Sequence, residues 1–241
     1  MEKDILKGKR CLITGASGGI GRQFALQLAG CGCHLFLTGR NSGKLADLKQ
    51  EILDLSDTTE IYFCTGDFTA AGDTAKIIRM ARETLKEIDI LINSAGIFPV
   101  QSLEESTDQQ FDECFQVNVK AAFVLCREFS KDMVKNRWGR IVNIASSSAY
   151  SGFAETSIYC ASKHALLGLS RSLHKELKKH NVRTFCISPA AVKTEMGRSI
   201  RNLDFETFID PADVARCAID LITFDHNMVP EEVRLNRMSS P

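Results

Sequence analysis

Eight residues near the amino end, Thr14-Gly15-Ala16-Ser17-Gly18-Gly19-Ile20-Gly21, leave this chain few folds to choose from. They follow an apolar run at 11–14 and open a stretch of helical periodicity at 19–30. Glycine suits a backbone that turns tightly and must approach a bound group with no side chain between. The helix that begins there points N–H groups without an internal partner, and the positive end of its dipole, at an anion. Strand, glycine-rich turn and helix in that order predict a pyrophosphate cradle for a dinucleotide. Its expected contacts are Gly15, Ser17, Gly19, Ile20 and Gly21.

The rest of the chain repeats the alternation. Apolar runs at 11–14, 34–38, 61–64, 88–93, 140–146, 183–188 and 232–235 read as strands, several of them apolar enough for burial on both faces of a parallel sheet. Helical patterns lie near 19–30, 42–54, 71–86, 105–135, 158–180 and 211–223. This predicts an α/β fold: one Rossmann domain over 1–241, doubly wound, with about seven parallel strands and helices on both faces. Asp210-Pro211 supplies a cap and a first-turn proline for the last helix. The irregular segment 197–210 follows a strand end, where open α/β sheets bind ligands, and is a candidate lid.

Thirty basic and thirty acidic residues cancel, which leaves no global field to draw nucleic acid or an anionic membrane. No stretch approaches the ~20 apolar residues of a membrane-spanning helix. Nine scattered cysteines read as reduced thiols of a cytoplasmic protein, and Cys31-x-Cys33 lacks the partners of a metal site.

Two further signals carry chemistry. Tyr159 and Lys163, four residues apart, project from one helix face one turn apart. An ammonium at about 4 Å and an effective dielectric near 20 favours a phenolate by roughly 4 kcal/mol. That predicts a phenol pKa lowered by up to ~3 units, toward neutrality. At the end of the second strand, a carboxylate ~20 residues past the glycine turn would bind the ribose of NAD. The chain reads Gly39-Arg40-Asn41 there instead. A guanidinium suits the 2′-phosphate of NADP, so NADP(H) is expected over NAD(H), which stays possible.

These pieces together resemble the short-chain dehydrogenase/reductase family, in its compact single-domain branch, along nearly the whole length. The turn matches T-G-x-x-x-G-x-G at Thr14, Gly15, Gly19 and Gly21. Asp67-Phe68 falls at the family's adenine contact, and Asn93-Ser94-Ala95-Gly96 is similar to its N-N-A-G element. Asn118 matches the catalytic asparagine, and Ser146, by its spacing to Tyr159, the catalytic serine. Pro189 to Thr194, with Val192, resembles the loop that covers the nicotinamide. The chain departs at Ser94, Ala190 and Gly18, the last a position often basic in NADP-preferring members. Arg40 therefore carries the NADP reading.

The resemblance implies hydride transfer between a nicotinamide and a carbonyl or secondary alcohol. Tyr159 is then the proton donor, Ser146 the hydrogen bond to the carbonyl oxygen, Lys163 the partner of tyrosine and ribose, and Asn118 the holder of a relay water. Phe98, Tyr150, Phe153 and Met196 are expected around a small or medium, mostly apolar substrate. By analogy the helices near 112–135 and 158–180 pair subunits in a homodimer or homotetramer. His174 and His180 are expected to face solvent. The alternative function is a catalytically silent NADP(H)-binding sensor or scaffold.

Overall fold

The computed structural model describes residues 2–55, 59–200 and 203–238. Seven strands form one parallel sheet: β1 (Arg10–Thr14), β2 (His34–Gly39), β3 (Ile61–Thr65), β4 (Ile90–Asn93), β5 (Gly139–Ile144), β6 (Val182–Pro189) and β7 (Glu232–Leu235). Their order is β3-β2-β1-β4-β5-β6-β7. The chain runs outward from β1 to β3, returns to the centre at β4 and runs outward again. The ends of β1 and β4 therefore lie side by side, at the reversal where such sheets bind ligands.

Helices α1 (Gly19–Gly30), α2 (Ser42–Leu55), α3 (Asp73–Leu85), α4 (Asp108–Phe115), α5 (Ala121–Lys135), α6 (Ser157–Leu177) and α7 (Pro211–Ile222) cover both faces. On one face Phe24 and Leu28 of α1 and Val214 and Ile219 of α7 pack on Ile13, Leu35 and Ile187. On the other, Ile77 of α3 and Leu125 and Phe129 of α5 pack on Leu12, Phe36 and Leu91. Alternate residues of each strand serve opposite layers, which is why the strands read as continuous apolar runs. Asp210 caps α7 by accepting from the N–H of Ala212, with Pro211 in its first turn.

Two boundaries differ from expectation. The stretch 105–135 is not one helix: Thr107 and Gln110 form a capping box that starts α4 at Asp108, and a π-turn at Gln116–Lys120 separates α4 from α5. A π-turn takes one more residue than an α-turn, and it falls where the Asn118 amide reaches across to the backbone of Ile97. β5 ends at Ile144, because Ser146 accepts from the N–H of Ser148 and turns the chain into a short 3₁₀ segment, Ser147–Ala149. The segment 197–210 holds two short turns, Gly197–Ser199 and Phe205–Thr207, with residues 201–202 outside the described residues. Its far end is anchored by a bridge between Val192 and Ile209. Among the described residues no helix is long and apolar enough to cross a membrane, and no group of three His, Cys, Asp or Glu could hold a metal ion.

One hydroxyl joins the two halves of the sheet at the reversal. Thr14 Oγ1, at the end of β1, accepts from the N–H groups of Ser94 and Ala95, each at 3.0 Å. Buried N–H groups left without a partner cost about 1–3 kcal/mol each. Thr14→Val, which keeps the shape and loses the oxygen, is expected to destabilise by about 2 kcal/mol or more, and Thr14→Ser by less than about 1 kcal/mol. Urea unfolding of the three proteins measures both; equal effects would assign the loss to packing.

Candidate active site

The loops that bear the singled-out residues leave the sheet at its carboxyl edge, where parallel strands end together. Gly15 has φ +66°, in the left-handed region, and a Cβ there would lie 3.0 Å from the backbone of Ala95. A Cβ on Gly21 would lie 2.3 Å from the carbonyl oxygen of Gly15, so the turn can be this tight only with glycine there. A Cβ on Gly19 would meet the Thr194 methyl at 2.5 Å: the loop after β6 closes onto the turn. No side chain caps α1, and its preceding residue, Gly18, has none to offer. A glycine cradle that ends on an uncapped helix could hold a pyrophosphate. Ile20 packs toward the core and leaves only its backbone for that cradle.

At the end of β2 a Cβ on Gly39 would fall 2.6 Å from Ser17 Oγ, which places that hydroxyl beside the exposed Arg40. Asp67, past β3, accepts from Thr69 N–H at 2.9 Å and Thr69 Oγ1 at 2.8 Å. The Thr69 backbone bond chiefly, with a smaller pull from Arg40, holds its carboxyl below the usual range. The neighbouring Phe68 side chain belongs to the core. Asn93 departs from its expected place against a cofactor. Its side chain is buried between β5 and α5, where it donates to Asn143 Oδ1 at 2.8 Å and Cys126 Sγ at 3.4 Å.

Asn118 is fixed on both sides of its amide. Oδ1 accepts from Ile97 N–H at 2.8 Å; Nδ2 donates to Ile97 O and to Ser162 Oγ, both at 3.0 Å. Ser162, one residue before Lys163, in turn donates to the carbonyl of Tyr159 at 2.7 Å. The sequence reading missed Ser162, although its place inside Tyr-x-x-Ser-Lys was the available signal. A Cβ on Gly96 would lie 3.3 Å from Asn118 Oδ1 and 3.7 Å from Lys163 Nζ, so these three groups meet.

Tyr159 and Lys163 do share one face of α6. Lys163 is 4% exposed and its Nζ donates to the carbonyl of Ile144 at 2.9 Å. Tyr159 is 7% exposed, has the Ser146 hydroxyl close enough to favour its ionised form, and packs its ring edge-on against Phe98 with centroids 4.6 Å apart. The expected lowering of its pKa is overturned. Burial pushes the Tyr159 phenol up to about 12, and the neighbouring Ser146 hydroxyl only partly opposes this. Lys163 lies 5.6 Å from the ring centroid, directs its proton at Ile144, and is itself brought down to about 8 by burial. Helical spacing set the proximity, and desolvation set the sign.

Among the expected substrate residues, Phe98 touches Tyr159, and Phe153 and Met196 are exposed at 53% and 39%. Tyr150 is turned elsewhere. Its hydroxyl donates to Glu232 at 3.0 Å, its ring lies 3.5 Å from the Arg234 guanidinium carbon, and it packs against the cluster that holds Leu166 and Leu167 of α6. Pro189 ends β6, and Val192 is buried by its pairing with Ile209. His174 is buried against Glu231 at 3.2 Å, contrary to a solvent-facing placement.

The fold and this cleft define a dinucleotide-binding oxidoreductase class. The profile of the short chain dehydrogenases matches residues 9–204, and the chain belongs to that family of NAD(P)-dependent dehydrogenases and reductases. It is 36% identical over 191 residues to 3-oxoacyl-acyl-carrier-protein reductase FabG of Rickettsia bellii, covering 79% of this chain and 76% of that protein. A dehydrogenase/reductase from Sinorhizobium meliloti 1021 superposes with TM-score 0.86 at 29% identity, over 98% of this chain and 97% of that one. Levodione reductase superposes with TM-score 0.86 at 26% identity, over 95% and 96%.

The two displaced pKa values set opposite pH dependences. Lys163 is charged in the unfolded chain up to its ordinary 10.5 but only up to about 8 when folded. Between those values the unfolded state binds more protons, so this lysine's burden on stability, full below pH 8, lifts as pH rises. Tyr159 acts oppositely between 10 and about 12. Buried thiols such as Cys126 add a fall above pH 9 that a lysine variant shares. Relative to Lys163→Met, the unfolding free energy of the cofactor-free wild type is expected to gain about 3 kcal/mol between pH 8 and 10.5. Denaturant titrations at several pH values measure it; a constant difference would mean an ordinary lysine.

Proposed function

We propose that the protein uses NADP(H), in preference to NAD(H), to interconvert a small or medium, mostly apolar carbonyl compound and its secondary alcohol. One observation carries the reading: a buried Tyr159 beside the Ser146 hydroxyl, with the Lys163 ammonium one turn away on the same helix face. Bound NADPH supplies a hydride to the carbonyl carbon. The residues supply the rest. Tyr159, protonated throughout the physiological range, is a general acid that gives its proton to the carbonyl oxygen. The Ser146 hydroxyl donates to the same oxygen as negative charge builds there. Lys163 holds a proton available near neutrality to restore Tyr159. Asn118, whose amide is saturated, keeps the Gly96–Lys163 corner open for a relay water.

Arg40 and Ser17 are the proposed 2′-phosphate ligands, favoured by the lack of a carboxylate at the end of β2. Gly15, Gly19 and Gly21 hold the pyrophosphate, Asp67 and Phe68 the adenine side, Ala95 and Gly96 the ribose side, and Pro189, Val192 and Thr194 the nicotinamide side. Phe98, Phe153 and Met196 face the substrate, with 197–210 as its lid. We also propose a homodimer or homotetramer through α4, α5 and α6, since Phe111 and Phe123 are each 45% exposed along that surface.

NADPH and NADH titrations, then nicotinamide absorbance across a ketone and aldehyde panel, test the reading. NADPH is expected to bind about tenfold or more tighter than NADH, with the margin lost in Arg40→Ala. Tyr159→Phe is expected to keep NADPH affinity and lose about 10²–10⁴ in kcat. Equal turnover by the phenylalanine variant overturns the mechanism. NADPH binding with no turnover by wild type favours the silent sensor.

A further inference from the structure

The two elements that bring Ser146 and Tyr159 together meet again at one carboxylate, far from the cleft. Four residues past Ser146, the Tyr150 hydroxyl donates to Glu232 Oε2 at 3.0 Å. Twelve residues past Tyr159 on α6, about 18 Å along its axis, Arg171 binds the same carboxylate twice: Nε to Oε1 at 2.5 Å and Nη2 to Oε2 at 2.9 Å. Glu232 opens β7 and pairs in register with Cys186 of β6, on the face covered by α6. Arg234, two residues on and on the same face, lays its guanidinium over the Tyr150 ring at 3.5 Å. The Tyr150 side chain is thus gripped at both ring and hydroxyl by the last strand.

We propose that Glu232 is a positioning residue for the reaction: through Tyr150 and Arg171 it holds the segment after Ser146 against α6 and so sets the approach of Ser146 to Tyr159. The proposal rests on the oxidoreductase reading of that pair. Bonds from Lys163 to the Ile144 carbonyl and from Asn143 to Ser170 already tie α6 to β5. Glu232 extends the tie to the segment beyond the end of β5, where Ser146 stands. A mostly solvated ion pair contributes little to stability, and Arg171 is 54% exposed. A bidentate guanidinium does, however, set direction as well as attraction. The groups that face the carboxylate are Arg171 from α6, Tyr150 from the serine segment and Arg234 from its own strand, with Arg171 the main cause that keeps it ionised. A misplacement of about 1 Å between reacting groups costs up to ~10²-fold in rate, so the link acts through geometry.

Glu232→Gln and Tyr150→Phe test it; the second removes a single oxygen and serves if the first fails to fold. Two readouts are taken at matched cofactor occupancy: kcat and KM for a carbonyl that wild type reduces, and an NMR titration of the Tyr159 ring, assigned with Tyr159→Phe. Both variants are expected to lose about tenfold in kcat with KM and NADPH Kd within about twofold, and to shift the Tyr159 midpoint by about half a pH unit or more as Ser146 moves relative to the phenol. Unchanged kcat together with an unchanged Tyr159 titration overturns the proposal. Equal loss in every parameter through unfolding, with the Tyr150→Phe titration unmoved, overturns it as well. If wild type reduces no carbonyl, the functional reading fails, and the Tyr159 titration still decides the role of Glu232.

Discussion

The structure is organised around a lysine ammonium placed where water barely reaches. Lys163 is 4% exposed and spends a proton on the Ile144 carbonyl, yet a buried charge without a counter-ion is among the costlier things a fold can hold. The protein lessens that cost by lowering the lysine to about 8, so the charge can be given up near neutrality. Around it, Asn118 is saturated by Ile97 and Ser162, and Gly96 comes close because it carries no side chain. The same burial that lowers Lys163 raises Tyr159, which leaves a phenol that stays protonated beside an amine that can release or take a proton. A pair arranged this way can act as an acid with a nearby proton source, which is what the proposed carbonyl reduction asks of it.

The sheet makes this corner possible. Because β1 and β4 are neighbours though distant in sequence, the glycine turn and the Ser94–Gly96 loop press together, and Thr14 holds them with one oxygen. Thr194 then closes from the β6 side onto Gly19. The glycine turn and the Gly96–Lys163 corner are therefore parts of one rim.

Much of this was legible in the chain. Seven apolar runs fell on the seven strands within a few residues, since strands buried on both faces leave a pattern that local reading detects. The four-residue spacing of Tyr159 and Lys163 put them on one face because helical periodicity is local. What failed was whatever depended on distant partners or solvent. Tyr150 lies next to the serine segment in sequence, but its partner is 82 residues away on the last strand. Asn93 reads like a cleft residue, and only the packing of α5 and β5 shows its amide buried on Asn143 and Cys126. The π-turn falls where Asn118 bonds the loop after β4, a contact that no helical pattern encodes. The direction of the tyrosine pKa went wrong for a related reason: spacing reports separation and says nothing of how much water is left.

The most direct test is a site-resolved NMR titration of the Lys163 side chain in the cofactor-free protein, assigned by its loss in Lys163→Met. A midpoint near 8, with Tyr159 still protonated beyond pH 11, is the result this account of a desolvated acid-base corner predicts. A lysine that titrates at its ordinary value near 10.5, or a tyrosine at its ordinary 10, would contradict it.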